Sequence, residues 1–178
     1  SKPVNLESLA AEFGDSRVEI IKGNLLSRET CRTAAEGVSV ILHLAAGVEK
    51  SFAGCFLNSV VATRNLLDAA LNNRALLRFV NTSSLAVYSN EKIRRRGLLD
   101  ETCEVETRLI ERAEAYTFGK VKQDELVLEY GRNFNLPYVI VRPSVVFGPG
   151  KAKITDRVGT STFGLYLHLG HSNRIPLT

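Results

Sequence analysis

Arg78-Phe79-Val80-Asn81-Thr82-Ser83-Ser84 is the stretch on which the fold turns. Its aromatic and β-branched residues predict a strand over 78–82 that runs straight into two hydroxyls. Upstream, Val38 to Leu44 is an apolar run broken only by Ser39 and His43, the pattern of a strand covered on both faces. Downstream, Pro137 leads Tyr138-Val139-Ile140-Val141-Arg142, a further strand stopped by Pro143. Earlier still, Arg17 to Lys22 alternates like a strand and ends at Gly23. Helical patterns separate these runs. Ser27 caps a helix reaching about Glu36, with Gly37 as its stop. A second helix covers Phe56 to Leu71, with Phe56, Val60, Thr63, Leu67 and Leu71 as its buried stripe and Asn72-Asn73 as its end. A third runs from about Ala115 to Asn133. Strands alternating with helices predict an α/β domain with a parallel sheet. The long polar segment from Glu91 to Glu114 has the character of a binding loop or lid. Beyond Gly148-Pro149-Gly150 the pattern loosens, leaving one short predicted helix over Ser161–Leu169.

The chain has 178 residues, 44% of them hydrophobic and 24% charged, which is enough for one domain with a real core. That composition excludes a disordered tail and a disulfide-framed mini-protein. No apolar run approaches the length of a bilayer span, and Ser1-Lys2-Pro3-Val4-Asn5 does not open a signal peptide, so the expected compartment is the cytoplasm. Net charge is only +4, and the basic run Lys92-Ile93-Arg94-Arg95-Arg96 is followed at once by Asp100, Glu101, Glu104 and Glu106. It reads as a solvated loop, and a nucleic-acid partner is not expected. Cys31, Cys55 and Cys103 lie far apart and read as reduced thiols. His168 and His171 lack a third ligand in the pattern, so no metal is expected. With no methionine anywhere, the chain is expected to be processed or a piece of something longer.

In open α/β sheets ligands bind beyond the carboxyl ends of the strands. Small or polar residues stand at those ends: Gly23-Asn24, Ala45-Ala46-Gly47, Thr82-Ser83-Ser84 and Pro143-Ser144. The third helix carries Tyr116 and Lys120, four apart and therefore on one face. Such a pair arises by chance in many helices. It gains weight from the hydroxyl pair that closes the preceding strand and from the Arg142-to-Gly150 segment that closes the next.

At these motifs the chain resembles the extended short-chain dehydrogenase/reductase family, the NAD-dependent epimerases and dehydratases. Gly23-Asn24-Leu25 is similar to the family's segment at the adenine, and His43-Leu44-Ala45-Ala46 to its HxAA strand end. Thr63-Arg64-Asn65-Leu66-Leu67-Asp68-Ala69-Ala70 resembles its GTxNLLxAA helix, and Val80 to Tyr88 its TSSxxVYG stretch. Tyr116 and Lys120 fall on YxxxK, and Val141 to Gly150 on LRPxxVYGPG. The resemblance implies a Rossmann-like, doubly wound parallel sheet over 1–150, with 151–178 opening a substrate-binding lobe. It implies that Ser84 holds the reacting oxygen, Tyr116 moves the proton, and Lys120 binds the nicotinamide ribose and lowers the tyrosine pKa. Asn24, Leu25, Leu44, Ala45, Ala46 and Thr82 would line the NAD or NADP cofactor, with Pro143 and Val145 beside the nicotinamide.

The chemistry suits those residue types. Only about one free phenol in a thousand is ionised at pH 7, so a neighbouring ammonium is what makes tyrosine a usable base. Three departures from the family pattern leave the catalytic groups intact: Asn24 for the usual Asp, Ser59 where Asn is common, and Gly119 for the Ser before the lysine. A larger one is the lack of the glycine-rich turn that cradles the pyrophosphate at a helix N-terminus. The chain is accordingly expected to be the central portion of a larger enzyme, with the apolar faces of Val38–Leu44 exposed and dinucleotide held poorly when it stands alone. The leading expectation is a nucleotide-sugar epimerase, dehydratase or reductase. Alternatives are a 3β-hydroxysteroid-type or ketone-reducing dehydrogenase, a dinucleotide-binding regulator, and an inactive fragment. The expected partner is a small-molecule substrate, with a homodimer open and no membrane.

Overall fold

Three of the strands form and lie side by side in a computed structural model that describes residues 4–14, 17–89, 99–146, 159–162 and 165–168. Strand β1 (Val40–His43) pairs in parallel with β2 (Arg78–Thr82), and β2 in parallel with β3 (Tyr138–Val141), in the order β1-β2-β3. The register sets Leu42 opposite Val80 and Val80 opposite Val139. Successive side chains point to opposite faces, so Ile41, Phe79 and Ile140 face one way and Leu42, Val80 and Val139 the other.

Helices cover the first of those faces. α1 (Val4–Phe13) precedes α2 (Arg28–Ala35), whose N-terminus is capped by the Ser27 hydroxyl accepting from Thr30 N–H. α3 (Phe52–Cys55) continues through a π-helical stretch, Phe56–Val61, into α4 (Ala62–Leu71), and α5 spans Ala115–Phe134. Cys31 and Ala35 of α2, Leu66, Leu67 and Ala70 of α4, and Val127 and Tyr130 of α5 close over Phe79, with Ile41 and Ile140 at its sides. α5 ends at Asn135 in the left-handed region (φ 53°), a conformation that asparagine tolerates better than most residues.

Four local expectations are corrected. Arg17–Lys22 forms no strand: a strand exists through its ladder, and this run finds no partner among the described residues, leaving Val18, Ile20 and Ile21 exposed. Val38–Leu44 is not covered on both faces: Val40, Leu42 and Leu44 are 49%, 65% and 71% exposed, as expected of this chain standing alone. In the second helix the expected stripe holds at Thr63 and Leu67, which are buried, and fails at its ends, where Phe56 and Leu71 are exposed, while Ser59, Leu66 and Ala70 are buried beside it. The π stretch adds a residue per turn, which rotates everything before it relative to the ideal helical wheel. Where a helix is expected over Ser161–Leu169, β4 (Gly159–Thr162) instead pairs antiparallel with β5 (Leu165–His168). Leu165 and Leu167 alternating with Tyr166 and His168 carry the two-residue period of a strand. The basic run at 92–96 and His171 lie outside the described residues.

The three cysteines are free thiols. Among the described residues no helix is long and apolar enough to cross a membrane.

Candidate active site

Because the three strands are parallel, their carboxyl ends meet at one edge. Leu44-Ala45-Ala46 leaves β1 there, Thr82-Ser83-Ser84 leaves β2, and Arg142-Pro143-Ser144-Val145 leaves β3. Backbone bonds stitch the last two together: Ser83 N–H donates to the Val141 carbonyl at 2.7 Å and Leu85 N–H to the Pro143 carbonyl at 3.1 Å. Ser84 then caps a short 3₁₀ turn, Leu85–Val87, its Oγ accepting from Ala86 N–H at 3.2 Å.

α5 brings the charged group. Lys120 is 4% exposed, and its Nζ donates to the Thr82 carbonyl at 2.7 Å. It also lies 6.0 Å from the centre of the Tyr116 ring, one helical turn back. An ammonium has three N–H donors, so this arrangement leaves two of them unspent among the described residues. Burial pushes Lys120 down to about 8, and the nearby Asp124 carboxylate pulls in the opposite direction. Tyr116 is half-buried at the same edge. Among the described residues no hydrogen bond joins the Ser84 and Tyr116 hydroxyls. The structure thus brings Lys120 and Thr82 into contact, with Tyr116 beside the ammonium and Ser84 two residues beyond the carbonyl that Lys120 holds.

Beneath the edge lie two polar clusters. In the first, Gln123 Nε2 donates to Thr63 Oγ1 at 2.7 Å and to the Ala45 carbonyl at 3.2 Å, while His43 Nε2 lies 2.8 Å from the same Thr63 oxygen. Burial, reinforced by the charge of Lys120, lowers His43 to about 4 and keeps the imidazole neutral. In the second, the buried Asp124 carboxylate accepts from Asn81, Ser83 and Arg142. The packing that admits α5 is tight. A Cβ on Gly119 would stand 2.9 Å from Ser59 Oγ, the atom that accepts from Gly47 N–H.

The remaining expected residues fall in two places. Leu44, Ala45, Ala46, Pro143 and Val145 are at the edge, with Leu44 and Val145 exposed. Asn24 and Leu25 form a separate turn, in which Asn24 Oδ1 accepts from Leu26 N–H at 2.9 Å and the Leu25 carbonyl accepts from Asn65 Nδ2 at 3.0 Å. No described contact links that turn to Tyr116 or Lys120. Sequence reasoning missed Gln123 and Asp124 as parts of this region, and it named Arg142 only as the start of the segment that closes β3. A signal was present for Asp124, which repeats the four-residue step from Tyr116 to Lys120 once more along the same helix face.

A parallel sheet with a lysine-bearing helix behind an open carboxyl edge defines an α/β protein built to hold a ligand at that edge. Comparison with known proteins narrows this class. The model of the NAD dependent epimerase/dehydratase family matches residues 2–171, and the chain belongs to that family. It is 28% identical over 157 residues to an Arabidopsis thaliana trifunctional UDP-glucose 4,6-dehydratase/UDP-4-keto-6-deoxy-D-glucose 3,5-epimerase/UDP-4-keto-L-rhamnose-reductase, covering 83% of this chain and 22% of the relative. It is 26% identical to cinnamoyl-CoA reductase 1 of Petunia hybrida, covering 83% of this chain and 44% of that one. Among solved structures, the UDP-glucuronic acid 4-epimerase of Bacillus cereus, in complex with UDP-glucuronic acid and NAD, superposes with a TM-score of 0.68 at 27% identity, covering 83% of this chain and 44% of that one. The chain spans less than half the length of each of these relatives.

Proposed function

We propose that this chain carries the Tyr116–Lys120–Ser84 group of an NAD- or NADP-dependent epimerase/dehydratase-type oxidoreductase acting on a nucleotide sugar. The observation that carries the reading is the buried Lys120 ammonium, anchored on the Thr82 carbonyl beside Tyr116 with two donors unspent among the described residues. Those donors fit the vicinal hydroxyls of a nicotinamide ribose, and the exposed apolar side chains of Leu44 and Val145 on either side fit the flat faces of a dinucleotide. Leu44, Ala45, Ala46, Thr82, Pro143 and Val145 would hold the dinucleotide along the edge, with Asn24 and Leu25 toward its adenosine half. Residues 1–150 then form the dinucleotide-binding unit, and 151–178 open the substrate lobe.

A bound nicotinamide supplies the hydride acceptor and donor, which no side chain can. The protein manages the proton and the geometry. Lys120, held still by Thr82, sets a positive charge beside the Tyr116 ring, and Tyr116 is the hydroxyl placed to take the proton of a substrate hydroxyl. Ser84 offers a hydroxyl to the reacting oxygen and stabilises charge that develops there. His43 stays neutral behind the edge and adds no competing positive charge.

The test is turnover by the full-length enzyme on UDP-glucose, dTDP-glucose and UDP-glucuronic acid, with 4-keto or epimerised product detected and Tyr116→Phe as control. Conversion of none of the three overturns the nucleotide-sugar reading. The likeness to cinnamoyl-CoA reductase favours a second reading, a reductase of a non-sugar carbonyl compound. Consumption of NADPH with cinnamoyl-CoA, without action on the sugars, selects it.

A further inference from the structure

Asp124 stands one helical turn beyond Lys120 and is 3% exposed. Its Oδ1 accepts from Asn81 Nδ2 at 2.9 Å. Its Oδ2 accepts from Ser83 Oγ at 2.8 Å and from Arg142 Nε at 3.1 Å, with Arg142 Nη2 also at 3.1 Å. One carboxylate therefore joins α5 to the ends of both β2 and β3. Ser83 immediately precedes Ser84, and Arg142 immediately precedes Pro143, so the two tethers end next to groups assigned to the reaction. Arg142 is fixed from its other side as well. Its Nη1 donates to the Tyr88 hydroxyl at 2.8 Å, and its guanidinium lies 4.9 Å over that ring. Tyr88 in turn is tied to the 99–114 segment, its carbonyl accepting from Arg112, which pairs with Glu106 and Glu114.

The carboxylate sets the terms of this cluster. Asn81 turns its amide nitrogen to Asp124 and leaves its own Oδ1 buried without a partner among the described residues. Leaving a buried acceptor unmet is costly, so the orientation is imposed by the stronger, charge-assisted bond to the carboxylate. An ordinary core position would have been filled more cheaply by an apolar side chain, because a buried ion pair gains little over one. The arrangement is specific in direction rather than merely cohesive.

We propose that Asp124 is a positioning residue for the reaction: by clamping Ser83 and Arg142 to the helix that carries Tyr116 and Lys120, it fixes Ser84 and Pro143 relative to the proton-transfer pair. This rests on the Tyr116–Lys120–Ser84 reading above. The clamp's carboxylate also acts on Lys120, its charge opposing the effect of burial on the ammonium. The charged and titratable groups around the clamp are Lys120, Lys122 and Glu125 on α5, Arg142 after β3, Tyr88 after β2 and Glu106 in the following segment, while His43 faces Lys120 from β1 and is neutral above about pH 4. Replacing Asp124 by asparagine keeps the shape, removes the charge, and turns an N–H₂ group toward donors.

The test compares wild type, Asp124→Asn, Ser83→Ala and Tyr116→Phe in the full-length enzyme, on whichever of UDP-glucose, dTDP-glucose and UDP-glucuronic acid it converts. Asp124→Asn is expected to lower kcat by about tenfold or more with KM held within about threefold, because misplacing a reacting group by a fraction of an ångström costs rate rather than binding. NMR titration of ¹³C-labelled lysine in the cofactor-free protein gives a second readout. The Lys120 midpoint, about 8 in wild type, is expected to fall in Asp124→Asn and stay put in Ser83→Ala. Wild-type kcat in Asp124→Asn, or an unmoved Lys120 midpoint, overturns the proposal. If Asp124→Asn does not fold, Ser83→Ala decides: it removes one tether and no charge, so kcat should drop several-fold, and a wild-type kcat overturns the clamp. Tyr116→Phe separates the two levels. Normal turnover in that variant refutes the underlying site, whereas its inactivity beside a normal Asp124→Asn refutes the positioning role alone.

Discussion

Acid should destabilise this protein through His43 by an amount that can be worked out. The imidazole is 3% exposed, is lowered to about 4 by burial and by the charge of Lys120, and titrates at 6.5 when freed. Its hydrogen bonds explain why a second proton is unwelcome. Gln123 Nε2 donates to Thr63 Oγ1, so the Thr63 hydroxyl is free to donate onward to His43 Nε2, which then serves as acceptor. A proton on that nitrogen would face the Gln123 amide N–H₂ group 3.3 Å away. The folded state therefore holds the proton less tightly than the unfolded one, and stability falls as pH drops from 6.5 toward 4. The full difference is about 3 kcal/mol, of which about 2 kcal/mol should be lost between pH 7 and pH 4.5. Carboxylates titrate in part of the same range, so the measurement is a difference. Chemical denaturation of wild type and His43→Gln at both pH values should show wild type losing about 2 kcal/mol more than the variant, which carries no titrating group there. Equal losses, or an imidazole NMR titration centred near 6.5, would refute the reasoning.

Tyr116→Phe should reduce turnover by about two orders of magnitude or more while cofactor still binds, which stopped-flow rates and calorimetry with NAD(H) would separate. Lys120→Ala should raise the cofactor Kd and lower kcat, since it removes the ammonium anchored on the Thr82 carbonyl. Lys120→Arg should recover only part of the loss, since a guanidinium cannot reproduce a point donor to the Thr82 carbonyl. Gly119→Ala should cost about 1–3 kcal/mol by overpacking, because the new methyl would stand 2.9 Å from Ser59 Oγ and 3.2 Å from its Cβ. Combined with Ser59→Gly it should cost less than the two single changes added together, and strict additivity in the thermal midpoints would show that these residues do not share the space.

What the sequence made legible was whatever depends on local pattern. The strand at 78–82 was recovered at both ends, and the helix from Ala115 missed its terminus by a single residue, because propensity and period agreed there. Failures came where a third party decides. Arg17–Lys22 alternates well, yet alternation says only that a strand could be half-buried, and the ladder that would make it one is a property of another segment. The stripe on the second helix held at Thr63 and Leu67 and failed at Phe56 for a different reason. Phe56 and Val60 were counted with a helical step of 3.6 residues, and the π-helical turn at Phe56–Val61 breaks that count in a way no hydropathy pattern records.

At the proposed site, the sequence offers residues whose side chains suit the chemistry, and it does not show what holds them. Asp124, Gln123 and Arg142 look in sequence like an ordinary helix surface and a strand terminus, and they acquire meaning only when three strands and α5 converge. The departures from the family pattern follow the same logic. Asn24 differs from the usual aspartate, but the atom in use is Oδ1, which accepts from Leu26 N–H and which both side chains possess. Nothing local is lost by the exchange. Ser59 and Gly119 lie sixty residues apart in the chain and read as two unrelated changes. In space they are one: the hydroxyl that receives Gly47 N–H occupies the room that a side chain at 119 would need. The lysine immediately following that glycine is thereby set at the depth where its ammonium reaches the Thr82 carbonyl. Two residues that read as unrelated in the sequence thus share one space in the fold, where α5 packs against the helix that carries Ser59.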